Sequence, residues 1–177
     1  MAGRRVLELG SGLGLDGLRF AGQGADWTFA DIAADNLAMI ERIARLKGLK
    51  VTTHLIGSDL SFDRLEGQFD AVLACGSVHH VPFEIARQEC LNVLKKLKVG
   101  GRWLELVYPK ERWIKEGSPA FDKWAKMTDG DRTPWAEWYD ADKIRQRLAP
   151  AELRTILDFA FSSDNYRWLD FEVLSLG

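Results

Sequence analysis

A glycine-rich turn set directly behind a short apolar run constrains this chain more than any other feature. Val6-Leu7-Glu8-Leu9 has the look of a buried strand, and Gly10-Ser11-Gly12-Leu13-Gly14 follows it without a spacer. Glycines at that point let the backbone turn tightly and pass close to a ligand where a Cβ would collide. In an open α/β sheet such a turn lies at the carboxyl end of the strands, where ligands bind. A second run, Trp27-Thr28-Phe29-Ala30, ends at Asp31, whose carboxylate can accept hydrogen bonds from two ribose hydroxyls. The competing role for Asp31 is a plain helix N-cap, because the segment after it reads as helical.

The rest of the chain continues the alternation. Leu18 to Ala21 reads as a short helix. Leu37, Ile40, Ile43 and Ala44 recur at helical spacing, and Gly48 sits where that helix would stop. Val51 to Ile56 is β-branched and strand-like. Phe69 to Cys75 is an apolar run with one Asp, as in a strand buried on both faces. Ala86, Cys90, Leu94 and Leu97 line one face of a helix that should end before Gly100-Gly101, and Arg102 to Tyr108 reads as a fifth strand. Five alternations predict a doubly wound α/β sheet, mostly parallel, with helices on both sides. Between Pro109 and about Asp140 the pattern stops, in an aromatic stretch with no clean period. Ile144 to Leu148 predicts one more helix, and Asp142 through Arg147 reads as its solvated face. Leu153 to Phe161 and Trp168 to Leu176 then read as two strands joined by the polar turn Ser162-Ser163-Asp164-Asn165. The expected organisation is a single domain over 1–177 with an insertion at about 109–140.

Composition narrows the function. Lys plus Arg is 24 against 26 for Asp plus Glu, a net charge of −2, so no basic excess speaks for nucleic acid or an anionic membrane surface. No apolar run approaches the roughly 18 residues a membrane span requires. The two cysteines, Cys75 and Cys90, cannot build a disulfide framework, which fits a reducing, cytoplasmic compartment. Three histidines without a carboxylate cluster make no metal site. Oligomeric state is not legible.

Two cofactor classes use a glycine turn with an acid on the second strand. Gly12, Gly14 and Gly17 satisfy the G-x-G-x-x-G spacing of nicotinamide-dependent oxidoreductases, but Asp31 then follows too soon. Taken from Gly10, Asp31 lies 21 positions on, and the pattern becomes Glu8-x-Gly10-x-Gly12-x-Gly14. That pattern resembles the first motif of class I S-adenosylmethionine-dependent methyltransferases of the small-molecule type. Asp31-Ile32 resembles the family's ribose-binding acid and the apolar residue beside the adenine. Gly57-Ser58-Asp59-Leu60 resembles the loop after strand three, Phe69 to Cys75 strand four, and Leu97-Lys98-Val99-Gly100-Gly101-Arg102 the turn into strand five. Ser77-Val78-His79-His80-Val81 is similar to a loop common in small-molecule members, and the final strand pair matches the antiparallel hairpin that ends the family's sheet.

The resemblance implies S-adenosylmethionine as cofactor, held by Glu8, Gly10, Ser11, Gly12, Gly14, Asp31, Ile32, Asp59, Leu60, Cys75 and Gly76. Asp59 would meet the adenine amino group and Leu60 the ring, although Ser-Asp pairs also simply make turns. Glu8 sits in an apolar strand, where a lone carboxylate is costly unless paired. Its implied place is near the methionine amino group or the glycine turn. As a nucleophile Cys75 is outweighed by a core role.

A general base, if the acceptor is a hydroxyl, would come from His79, His80 or Glu111. Adjacent residues point different ways, so at most one of the two histidines should face the site, and a structural role is as well supported. Four of the seven tryptophans, Trp113, Trp124, Trp135 and Trp138, fall within 109–140. By default that stretch is a satellite core. Leaving strand five on the ligand-binding edge, it also suits a lid, with Tyr108, Trp113, Trp135 and Trp138 facing a small polar acceptor such as a saccharide or secondary metabolite. The function expected is methyl transfer to a small molecule. A non-catalytic cofactor-binding module is the alternative, because the family usually carries helices ahead of strand one and here that strand starts within five residues of the first residue. Either that cover is missing, the chain is a fragment, or the insertion after strand five supplies it.

Overall fold

A computed structural model of the chain describes residues 2–177. In chain order its elements are β1 (Arg5–Leu9), α1 (Leu15–Ala21), β2 (Asp26–Asp31), α2 (Ala34–Leu46), β3 (Thr52–Leu55), β4 (Phe69–Cys75), α3 (Phe83–Leu94), β5 (Leu97–Val107), α4 (Lys110–Lys115), α5 (Phe121–Asp129), α6 (Ala141–Leu148), β6 (Glu152–Phe161) and β7 (Tyr166–Ser175). The strands form one sheet in the order β3-β2-β1-β4-β5-β7-β6. The first five pair in parallel, and β7 runs antiparallel between β5 and β6. The expected doubly wound sheet with a terminal hairpin is therefore present. The same hairpin removes the nicotinamide reading, since a dinucleotide-binding sheet runs in the order 3-2-1-4-5-6.

Alternation along the strands divides the core. Val6, Trp27, Phe29 and Ala71 face α1 and α2, where Leu18, Leu37, Ile40 and Ala44 meet them. Leu7, Leu9, Val72, Trp103 and Val107 face the other way, onto α3 and α6 through Ala86, Cys90, Val93, Ile144 and Leu148. The central strand is thus buried on both sides, as parallel strands demand. Beyond β1 on the first face, Val6, Phe20, Trp27, Leu73, Leu104 and Trp168 line an apolar cleft of about 300 Å³. A larger recess of about 660 Å³ lies at the other end of the strands, among Arg4, Asp70, Lys98, Arg102 and Asp170, remote from the glycine turn. Its charges pair with one another, Lys98 with Asp70 at 2.6 Å and Arg102 with Asp170.

Three expectations need correction. The helix expected to run through Leu97 ends at Leu94, and Leu97 opens β5. Phe69 pairs with Leu97 but Ala71 with Arg102, so residues 98–101 are an excursion inside the strand. Gly100 makes it at φ +78°, and a Cβ on Gly101 would lie 2.7 Å from the Lys98 carbonyl oxygen. Leu97 is fully buried from this strand position, which mimics helical spacing by coincidence. Second, the aromatic stretch holds two helices, α4 of 6 residues and α5 of 9, too short to display a period. Third, the solvated face of α6 is confined to Asp142 and Gln146 with Arg145 beside them, whereas Arg147 is completely buried and paired with Glu105 of β5.

Candidate active site

The turn after β1 is built by positive backbone angles at Gly10 (+66°), Gly12 (+52°) and Gly14 (+63°). The three glycines do different work. A Cβ on Gly10 would fall 2.3 Å from the Cβ of Ser77, and one on Gly14 2.8 Å from the Phe29 ring. These two glycines allow the turn to seat against the sheet and α2. Around Gly12, by contrast, an added Cβ meets nothing within 4 Å. That open space is a cradle over which a ligand can lie against bare backbone. The adjoining Ser11 Oγ is buried without a hydrogen-bond partner among the described residues, a polar atom suited to a bound group.

Asp31 ends β2 beside this space and is 5% exposed. Its Oδ2 accepts the Gly12 N–H at 2.7 Å and its Oδ1 the Ala33 N–H at 2.8 Å. Each carboxylate oxygen keeps a lone pair for a further donor. Asp31 is not the N-cap of α2, whose cap position is Ala33 without a side-chain cap bond; its carboxylate instead orders the segment leading into α2 and ties it to the glycine turn. Next to it Ile32 is 75% exposed, and Leu13 and Leu15 flank Gly14 in similar exposure. Apolar side chains left open at the rim of a turn suit the face of a planar ring.

Glu8 points from β1 toward α1, where its Oε2 accepts the Trp27 indole N–H at 2.7 Å. Burial, with a smaller push from Asp16, raises its carboxyl to about 7 against the opposing bond from Trp27. A Cβ on Gly17 would sit 2.3 Å from that carboxylate, so α1 docks on Glu8 only through a glycine.

The loop after β4 completes the inner wall. Ser77 Oγ donates to the Leu9 carbonyl at 2.6 Å, clamping this loop to the end of β1. Gly76 turns there at φ +67° with open space where a Cβ would be, and Cys75 beneath it has its thiol raised to about 11 by burial and by Asp16 and Glu8. Asp59 closes a local turn by accepting the Ser61 N–H at 3.2 Å and is exposed, whereas Leu60 packs against the main core.

His79 and His80 sit on a short 3-10 turn, Val78–His80. His79 is almost wholly buried, with neither ring nitrogen hydrogen-bonded, between the rings of His80 and Tyr108 at 4.3 Å each. Burial first, then His80, Arg147 and Arg112, hold it far below the usual imidazole range, so it is neutral. His80 is half-buried and its Nδ1 lies 3.1 Å from the Trp135 carbonyl oxygen. A carbonyl only accepts, so the proton is on Nδ1 and the lone pair of the neutral ring is on Nε2.

The aromatic stretch covers this side. Tyr108, Trp124, Ala125 and Ala136 form a small core of their own, with Trp113, Phe121, Trp138 and Tyr166 packed on it. The indoles of Trp113, Trp124 and Trp135 donate to the Pro119 carbonyl, Glu116 and Glu137. The Tyr108 hydroxyl donates to Asp129 at 2.6 Å, and burial together with that bond pushes the phenol up, keeping it protonated. Glu111 lies on the exposed side of α4, where it meets Arg167. The stretch thus packs as a satellite core, with its backbone bonded to the loop that carries the two histidines. Sequence reasoning missed Ser77, Asp129 and Lys143, whose roles depend on partners 21 to 68 residues away or, for Lys143, on a bend that turns it inward.

Among the described residues no group of three or more His, Cys, Asp or Glu is placed to hold a metal, and no helix is long and apolar enough to cross a membrane.

Comparison with known proteins bears on the family and the fold. The profile of a family described as a methyltransferase domain matches residues 6–101, more than half of the chain. A ubiquinone biosynthesis O-methyltransferase from Methylococcus capsulatus is 33% identical over 82 residues, which is 46% of this chain. The match spans only 35% of that relative's own length. The solved structure of magnesium protoporphyrin IX methyltransferase from Synechocystis with bound S-adenosylhomocysteine superposes on 98% of this chain and 75% of its own, at a TM-score of 0.69 and 22% identity. An S-adenosylmethionine-dependent methyltransferase from Clostridium acetobutylicum covers 97% of this chain and 84% of its own, at 0.71 and 12% identity. At such identities these two structures speak for the fold.

Proposed function

The chain belongs to the class I S-adenosylmethionine-dependent methyltransferases, and from that membership we propose that it transfers a methyl group from S-adenosylmethionine to a small-molecule acceptor. The observation that carries the reading is the open cradle at Gly12 beside the Asp31 carboxylate. In it the glycine turn takes the methionine end of the cofactor against bare backbone, with Ser11 Oγ as an added partner. Asp31 takes the ribose hydroxyls on its remaining lone pairs, and Ile32 covers the adenine. Asp59 and Leu60 close the adenine end, and Cys75 and Gly76 the floor. Glu8 lies under α1, the helix that follows the turn, and is held to β2 through Trp27.

The bound sulfonium supplies an activated methyl group, so the protein has chiefly to align an acceptor atom and exclude water. The aromatic cover over His79 and His80 does both. Of the candidate bases, His80 fits a hydroxyl acceptor best, because the Trp135 carbonyl fixes its tautomer with the lone pair on Nε2. Buried His79 backs it by packing. A saccharide or secondary-metabolite hydroxyl is the acceptor class that suits Tyr108, Trp113, Trp135 and Trp138.

Thermal unfolding with S-adenosylhomocysteine, S-adenosylmethionine and NADH in separate samples tests the reading. A ligand at 100 times its dissociation constant stabilises by about 2.7 kcal/mol, which for this size raises the midpoint by about 5–10 °C. A rise with the two sulfur ligands alone is expected. No rise with either would overturn the proposal.

A further inference from the structure

The segment 134–139 is held across the acceptor side by backbone bonds at several points. Ala136 N–H donates to the Phe121 carbonyl, Glu137 N–H to the His79 carbonyl at 2.9 Å, and Tyr139 N–H to the Tyr108 carbonyl at 2.9 Å. It therefore bridges α5, the loop after β4 and the end of β5. Its one buried charge is Glu137, 5% exposed, whose Oε2 accepts the Trp135 indole N–H and whose Oε1 meets Lys143 Nζ at 2.6 Å.

Lys143 comes from the first turn of α6, and its side chain is only 14% exposed. Its ammonium lies 3.9 Å from the centre of the Trp138 ring, 5.0 Å from Tyr139, 5.4 Å from Phe121 and 6.0 Å from Phe83. Four aromatic faces and a carboxylate around one ammonium form a cation cage, occupied here by a residue of the same chain. A buried carboxylate that loses its only ion-pair partner is strongly destabilised. The cage and the pair together join α6, which packs on α3, to the segment that lies over both histidines.

We propose that Lys143 is a positioning residue, pinning residues 134–139 down over His79 and His80 and so keeping the acceptor side of the cleft closed. This deepens the methyl-transfer reading and rests on it for what that side of the cleft is used for. The pin works without a cofactor. Release of Lys143 from the cage frees Glu137, and with it the bond to the His79 carbonyl that keeps the histidine pair covered.

The test is hydrogen–deuterium exchange at the Glu137 and Tyr139 amides, with reactivity of His79 toward diethyl pyrocarbonate and affinity for S-adenosylhomocysteine measured in parallel. Lys143→Met should speed exchange at both amides at least about tenfold and expose His79, while amides of β1 and β4 keep their protection. Lys143→Met combined with Glu137→Gln removes both charges and should restore most of the protection. Unchanged exchange in the single variant overturns the proposal, and so does a double variant as loose as the single one. If Lys143→Met unfolds the whole chain, Lys143→Arg decides. It keeps a cation and should stay protected, and loosening at 137 and 139 in that variant overturns the pin. Failure of the wild-type chain to bind S-adenosylhomocysteine would sink the methyl-transfer reading and leave the exchange result standing.

Discussion

The Glu8 carboxylate accepts the indole N–H of Trp27 at 2.7 Å inside the face covered by α1, and burial still raises its carboxyl from 4.5 to about 7. The folded chain therefore binds a proton that the unfolded chain has released. Stability from this group is fully present below about pH 4.5 and is lost as pH rises through about 7, a swing of about 3 kcal/mol. Glu8→Gln keeps an acceptor for Trp27 without the charge. The stability of the variant relative to wild type should rise steadily from about pH 5 to about pH 8 in urea unfolding. The difference isolates Glu8 from Glu89, which burial also raises to about 7, and from His79, which acts in the opposite sense because burial lowers it. A flat difference would remove Glu8 as the titrating group.

Gly10→Ala should destabilise the fold by about 2 kcal/mol or more, from a left-handed backbone and an overpacked contact. The Cβ would lie 2.3 Å from that of Ser77. Gly12→Ala has the same backbone strain without the clash, so it should lose less stability but more cofactor affinity. Urea midpoints and calorimetry on the pair check this, and equal effects of the two on affinity would contradict the cradle.

Asp31→Ala removes the acceptor for two backbone N–H groups as well as the proposed ribose partner. Affinity for S-adenosylhomocysteine should fall by about 1–3 kcal/mol, roughly 5- to 150-fold. Isothermal calorimetry on the folded variant decides, and unchanged affinity would refute the assignment.

Glu105→Ala leaves Arg147 buried without its counter-charge and should destabilise by about 3–5 kcal/mol. The pair is incompletely satisfied, since Glu105 Oε2, two nitrogens of Arg147 and the Tyr139 hydroxyl have no partner among the described residues. Glu105→Leu combined with Arg147→Met should accordingly recover most of the loss, or exceed wild type, in chemical denaturation. A double variant no better than the single one would show that the charges are required.

The glycine turn, Asp31 at the end of β2 and the alternation of strands and helices were legible because each rests on local chemistry: a left-handed backbone, an acid closing a strand, an alternation of periods. Leu97 misled because a buried strand residue placed after a helix keeps the helical spacing by accident. Arg147 and Lys143 misled for a different reason. On a helix they look like solvated charges, and only the folded chain brings Glu105 and Glu137 to them. The tryptophans were readable as a cluster but not as cover or core, since the same ring contacts, Trp113 with Trp138 at 6.0 Å for one, serve both.

The placing of the aromatic stretch between β5 and α6 has an evolutionary consequence. Everything that forms the cradle, from Glu8 to Ser77, comes from one unbroken run of chain, and the family profile ends at residue 101, before that stretch begins. The aromatic cover joins the loop after β4 and the end of β5 through two backbone carbonyls, those of His79 and Tyr108, which any residue presents equally well. On the proposed reading, mutations in the cover change which acceptor is admitted without passing through a state that has lost the cofactor. The two halves of the proposed site are then free to drift at different rates, with the cover as the exchangeable part.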